Sequence, residues 1–193
     1  MAPPRIVAAL VVAALALGGC GGPAPDGSGP AASSAIGGPF NLVDTAGRPV
    51  TDRDFRGKPT VIYFGFTYCP EVCPTTLAAM TSWIKALGPD ADRLNFAFVS
   101  IDPDRDTPAQ MGHYLSVFDP HIRGLTGTRA QVAQIAGAYR VYYRKAPLPG
   151  GSYTMDHSTA VYLMGANGGF DGVIICQEPA DQAVAQLHAL LKP

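Results

Sequence analysis

An α/β domain is the fold class this sequence predicts, and three observations lead there. Aromatic and β-branched runs such as Thr60–Phe66 and Asn95–Ile101 alternate with segments of helical periodicity. The stretch behind the first forty residues is long enough for one good core. At 47% hydrophobic and 15% charged, the chain is neither disordered nor coiled-coil-like.

The elements follow in order. Phe40–Asp44 and Arg48–Thr51 flank the turn Thr45-Ala46-Gly47 and predict a short hairpin. Thr60–Phe66 predicts a buried central strand. Pro74–Leu87 carries Leu77, Met80, Ile84 and Leu87 at helical spacing, with Gly88 beyond its end. Asn95–Ile101 predicts a second buried strand. Thr107–Phe118 opens with Thr107-Pro108-Ala109-Gln110, a capping pattern with Pro at the first helical position. After a short Gly124–Thr126 segment, Thr128–Tyr139 predicts a third helix. Ser158–Met164 and Gly172–Cys176 flank the hairpin turn Ala166-Asn167-Gly168-Gly169, and Pro179–Leu191 closes the chain as a helix. This order matches a thioredoxin-like fold with an N-terminal β-hairpin and an inserted helix, occupying residues 40–193.

Residues 1–39 read as an address. Ile6–Leu17 is an apolar run of 12 residues behind Arg5. A bilayer span needs about 20, so the run suits a secretory signal. It ends in Leu17-Gly18-Gly19-Cys20, similar to a bacterial lipobox in which the Cys becomes the lipidated first residue. A signal over 1–19 and a lipid anchor at Cys20 are expected. From Gly21 to Pro39, 17 of 19 residues are Gly, Pro, Ala or Ser, too polar and too small to offset chain entropy. Residues 20–39 are therefore expected to tether the domain to the outer face of the cytoplasmic membrane, where thiols can be oxidised.

The charge balance excludes one class of function. With 14 Lys+Arg against 15 Asp+Glu and no basic block, the chain lacks the footprint of a nucleic-acid binder.

The chemistry concentrates on Cys69, Cys73 and His157. Cys69-Pro70-Glu71-Val72-Cys73-Pro74 falls where the first long strand gives way to the first helix. Cysteines four apart across a helix start can turn their sulfurs to one side, and the N–H groups there favour thiolate. Spacing alone leaves metal binding, redox exchange and a plain Cys69–Cys73 disulfide level. Tyr153-Thr154-Met155-Asp156-His157-Ser158 reads as a loop entering the next core strand, and in a thioredoxin-like fold it faces the cysteines. Asp156 is expected to orient the His157 ring through a hydrogen bond, freeing one nitrogen to ligate. Two thiolates and one imidazole suit copper.

These residues carry a family resemblance. Phe64-Gly65-Phe66-Thr67-Tyr68-Cys69-Pro70-Glu71-Val72-Cys73-Pro74-Thr75-Thr76-Leu77 resembles the signature of the Sco/SenC family of copper-binding assembly proteins. Ser100-Ile101-Asp102-Pro103-Asp104-Arg105-Asp106-Thr107-Pro108, Gly124-Leu125-Thr126-Gly127 and Tyr153–Ser158 match further segments in the expected order. The resemblance runs from about Phe40 to the C-terminus. It implies a thioredoxin fold, with Cu(I) or Cu(II) held by Cys69, Cys73 and His157. It also implies a part in supplying or reducing the binuclear copper centre of cytochrome c oxidase subunit II. Partners would be that subunit or another copper protein, and a thiol oxidoreductase or second copper chaperone.

General disulfide exchange is the rival, weakened because thioredoxin-type reductases use Cys-x-x-Cys and a Pro before the strand that follows the facing loop. Peroxidase chemistry wants Thr three residues before the reactive Cys, where this chain has Phe66 or Pro70. Haem attachment needs Cys-x-x-Cys-His, which is absent. Asp102, Asp104 and Asp106 imitate a calcium loop, but Thr107 and His113 stand where Gly and Glu are required. The aspartates read as loop polarity and helix-start charge. Cys176, ending Val173-Ile174-Ile175, is expected to be a buried core thiol. Met155 and Trp83 read as packing, and His113, His121 and His188 as exposed.

Overall fold

The computed structural model describes residues 36–192, so the expected signal, Cys20 and most of the tether lie outside the described residues. Among the described residues no helix is long and apolar enough to cross a membrane. The chain is tied to the domain from Gly37, whose N–H donates to the Ala138 carbonyl at 2.9 Å.

The N-terminal hairpin forms from β1 (Asn41–Asp44) and β2 (Pro49–Thr51). Next comes β3 (Thr60–Gly65), with all six residues buried. Helix α1 (Val72–Leu87) follows and buries Cys73, Thr76, Leu77, Met80, Trp83, Ile84 and Leu87 at three- and four-residue spacing. Gly88 ends it at a φ of 55°, a conformation open to glycine at little cost. Strand β4 (Asn95–Ser100) lies parallel to β3, as a βαβ crossover requires. Thr107 caps α2 (Pro108–Leu115), its hydroxyl accepting from the Gln110 N–H at 3.2 Å.

The Gly124–Thr126 segment belongs to a full strand, β5 (Ile122–Thr126), parallel to β4 and antiparallel to β1. It carries the N-terminal hairpin onto the sheet. After α3 (Arg129–Ala138), β6 (Tyr143–Pro147) and β7 (Tyr153–His157) form a separate two-stranded antiparallel ribbon. Sequence reading treats this stretch as connection, because exposed Arg144 and Lys145 break the apolar alternation that marks a strand. The turn was there to be read in Pro149-Gly150-Gly151, whose glycines take φ values of 85° and 83°.

Strands β8 (Val161–Met164) and β9 (Phe170–Ile174) and helix α4 (Ala180–Leu190) complete the domain. The main sheet runs β2-β1-β5-β4-β3-β8-β9, so β3 sits inside it with β4 and β8 on either side. This is the thioredoxin-like arrangement expected, although the insertion between β4 and β8 holds a strand and a hairpin as well as helices.

One expectation fails in this region. Cys176 is a half-buried free thiol in the turn before α4, not a buried thiol in the core. Strand β9 starts earlier and ends at Ile174, which is fully buried, while Ile175 emerges 62% exposed. The Ile175 N–H donates to the Glu178 carboxylate at 3.2 Å and leaves the ladder. An apolar run three residues long cannot have all its side chains on one face of a strand.

Candidate metal centre

The cysteine loop is held from below by a buried carboxylate. Past Gly65 the chain turns through Phe66, Thr67 and Tyr68 to Cys69. Thr67 donates to Asp106 from its N–H at 3.1 Å and its hydroxyl at 2.7 Å, and Ser100 adds a third donor at 2.6 Å. Asp106 has no exposed surface, and burial pushes its carboxyl above the usual range. It is therefore a buried pin between the cysteine loop and the end of β4, contrary to its reading as loop polarity. Asp102 departs from that reading too, being 1% exposed.

Helix α1 begins without a side-chain cap, leaving first-turn N–H groups free. The Cys69 sulfur takes one of them, accepting from the Cys73 N–H at 3.3 Å. The Cys73 thiol also donates to Cys69. That bond, with the backbone N–H groups of Cys73 and Glu71, overcomes desolvation and lowers the Cys69 pKa to about 4. Cys73 moves the other way, because its proton is held by Cys69 and its sulfur is buried. Of the two sulfurs, half-exposed Cys69 is the one that favours the thiolate and buried Cys73 the thiol.

His157 ends β7, paired across the ribbon with Tyr143. Its Nε2 lies 3.6 Å from Cys73 Sγ, and its Nδ1 lies 2.7 Å from the Ser158 carbonyl. A carbonyl only accepts, so Nδ1 carries the proton and Nε2 presents a lone pair. The ring stands edge-on to Phe66, with centroids 5.8 Å apart. The expected partner Asp156 does not orient it. Asp156 pairs instead with Arg144 at 2.9 Å on the exposed side of the ribbon, since neighbours on a strand point to opposite faces.

Two locks that sequence reading missed fix the ribbon against the rest of the domain. Arg105 donates from Nε to Asp102 at 2.5 Å and from Nη1 to the Tyr153 carbonyl at 3.0 Å. Its guanidinium lies 3.8 Å from the Tyr153 ring centroid and 4.7 Å from that of Tyr68, the neighbour of Cys69. The Tyr153 hydroxyl donates to Asp102 at 2.8 Å. Asp104 bridges Arg129 on α3 and Lys145 on β6, and the two cations hold its carboxyl down at about 2. The signal was the charged string Asp102-Pro103-Asp104-Arg105-Asp106, but no charge pattern says which partners it meets.

The donor atoms of Cys69, Cys73 and His157 lie within 4.8 Å of one another, the one such group of three among the described residues. Bonds of ~2.0–2.3 Å to a common ion need donors about 3.5–4.6 Å apart, so little closure is required. Two sulfurs and an imidazole select a soft ion. Met155 is buried as packing, Trp83 likewise, and His113, His121 and His188 are exposed, as expected.

Comparison with known proteins bears on the same residues. The SCO1/SenC family model matches residues 28–192. Mitochondrial SCO2 of Saccharomyces cerevisiae is 44% identical over 142 residues, covering 72% of this chain and 47% of that protein. The chain thus spans about half the length of the curated relatives it matches. Among solved structures, Bradyrhizobium japonicum ScoI with copper bound is 48% identical with a TM-score of 0.77, covering 81% of this chain and 99% of that one. BsSco, a member of the Sco family of cytochrome c oxidase assembly proteins, shares the fold at 22% identity and a TM-score of 0.67, over 82% of this chain and 95% of its own. With its cysteine pair and histidine brought together on this fold, the chain belongs to the SCO1/SenC family.

Proposed function

We propose that this protein binds copper as cargo through Cys69, Cys73 and His157 and assists assembly of the binuclear copper centre of cytochrome c oxidase. The observation that carries the proposal is the convergence of two sulfurs with an imidazole whose tautomer leaves Nε2 free toward Cys73. The copper-bound relative and the assembly role of the family support it. Cys69, half-exposed and the more acidic of the two thiols, receives the ion. Cys73 releases its proton as it binds, so loading is linked to pH. His157 completes a three-coordinate site, and the position left open admits a donor from the client, subunit II or another copper protein. Cys69 and His157 are both half-buried and within reach of that partner, while Cys73 stays behind.

Thiol–disulfide exchange is the second reading, favoured by the low Cys69 pKa beside a second thiol. The two are compatible, since both thiols must be reduced before they hold Cu(I); a thiol oxidoreductase or second copper chaperone would act upstream. Titration of His157→Ala with Cu(I) and Cu(II) against a chelator, alongside its thiol–disulfide potential, separates them. A copper site predicts much weaker binding, Cu(II) more than Cu(I), with reversible Cys69–Cys73 oxidation retained. Unchanged copper affinity, with turnover of unrelated disulfides by wild type, would favour the oxidoreductase.

The site's place in the cell rests on sequence. Residues 1–19 act as a signal, Cys20 carries lipid, and the stretch between Cys20 and Gly37 tethers the domain to the outer face of the cytoplasmic membrane. Cys20→Ser should abolish acyl mass on the mature first residue, whereas an unlipidated wild-type protein from its host would refute the anchor.

A further inference from the structure

Tyr63 on β3 has a hydroxyl that packing does not account for. Its ring has no exposed surface and lies against Phe98, centroids 5.9 Å apart, in a strand followed by Phe64 and Phe66. A phenylalanine would fill this space without burying a polar group, which is unfavourable unless a partner is found. The partner is the sulfur of Cys73, to which the Tyr63 hydroxyl donates at 3.6 Å. Two residues along, and so on the same face of the strand, Gly65 leaves room for that sulfur: a Cβ there would lie 2.7 Å from it. The face of β3 that meets Cys73 thus offers space at one position and a hydrogen-bond donor at the other. The Tyr63 ring also stands 6.4 Å from the His157 ring, so one side chain borders two of the three donors.

We infer that Tyr63 is a positioning residue of the metal site, whose hydroxyl donates to the Cys73 sulfur in the copper-loaded protein and tilts the site toward Cu(I). This inference rests on the copper reading above. A donor to a thiolate withdraws charge that the sulfur would otherwise give to the metal. Cu(II) depends on that donation more than Cu(I) does, and hydrogen bonds around a ligating sulfur set the potential of thiolate metal sites. Tyr63 acts through Cys73 and has no bond to the ion.

The test is Tyr63→Phe in the full chain, loaded separately with Cu(I) and Cu(II). The expected result is a wild-type copper-to-protein ratio, a thiolate-to-Cu(II) charge-transfer band moved to lower energy, and a Cu(I)-over-Cu(II) affinity ratio reduced by about tenfold, the lower end for an outer partner of a ligand. An unmoved band with an unchanged ratio overturns the inference, even if stability falls. Absence of any thiolate–copper band in wild type would sink the copper reading itself, and this inference with it. If Tyr63→Phe does not fold, 3-fluorotyrosine placed at position 63 supplies a more acidic hydroxyl of nearly the same shape. It must move band and ratio the opposite way, and failure to do so overturns the inference equally.

Discussion

Replacing Gly65 with alanine should damage the metal centre more than the fold. The added Cβ would sit 2.7 Å from Cys73 Sγ and 2.7 Å from Phe98 Cε2, whereas ordinary contact begins at 3.4 Å. Both neighbours must give by about 0.7 Å, the difference between 3.4 and 2.7 Å. Phe98 is fully buried, with the rings of Tyr63 and Tyr114 5.9 and 6.0 Å away, so its retreat disturbs the core and supplies the stability cost. The sulfur must move as well. Overpacking of this kind costs about 1–3 kcal/mol, offset by the ~0.4–1 kcal/mol that alanine gains over glycine in the unfolded chain. A net loss of about 1–2 kcal/mol is expected, leaving the protein folded. Metal–ligand distances tolerate only ~0.2 Å, so the same movement should weaken copper binding by about 100-fold. Urea unfolding reads the first quantity and Cu(I) titration against a competing chelator the second. Wild-type affinity in a folded Gly65→Ala protein would show that the sulfur's place is not set by this contact.

Three further outcomes follow from the same geometry. Arg105→Lys loses the fork that joins Asp102 to the Tyr153 carbonyl, and should cost about 1–3 kcal/mol in thermal melts while weakening copper binding through a looser ribbon; unchanged values in both would remove Arg105 from the site's support. Asp156→Ala breaks only an exposed pair with Arg144, so stability should fall by about 0–1 kcal/mol and copper affinity should hold, whereas a loss of tenfold or more would return Asp156 to the role of ring orienter. Cys69 has a pKa depressed to about 4, so its contribution to stability is present above its unfolded value of about 8.5 and disappears as pH falls through about 4. Alkylation of Cys69 in the reduced, metal-free protein should accordingly be almost flat from about pH 6 to 8. A tenfold fall per pH unit, as for an ordinary thiol, would contradict the depressed pKa.

Local patterns carried most of the architecture. Apolar runs such as Thr60–Gly65, the helical spacing of Leu77, Met80 and Ile84, the Thr107 cap and the Asn167-Gly168-Gly169 turn each depend on a few neighbouring residues. Such features can be read one window at a time. Where period and burial part company the reading slips, as it did at Cys176 and at the charged ribbon Tyr143–His157.

Local spacing along the chain put Cys69 and Cys73 at one helix start, whereas His157, 84 residues on from Cys73, joined them only through the fold expected and the family resemblance. Alternating strands and helices set the fold class, since they admit few packings. What surrounds those three side chains came from packing between distant segments. The Ser158 carbonyl rather than Asp156 fixes the His157 tautomer, Arg105 reaches across 48 residues to Tyr153, and Tyr63 donates to Cys73. The physical reason is that a hydrogen bond or a steric limit depends on positions good to a few tenths of an ångström. Those positions arise when strands and helices distant in sequence pack together, and no local pattern records them.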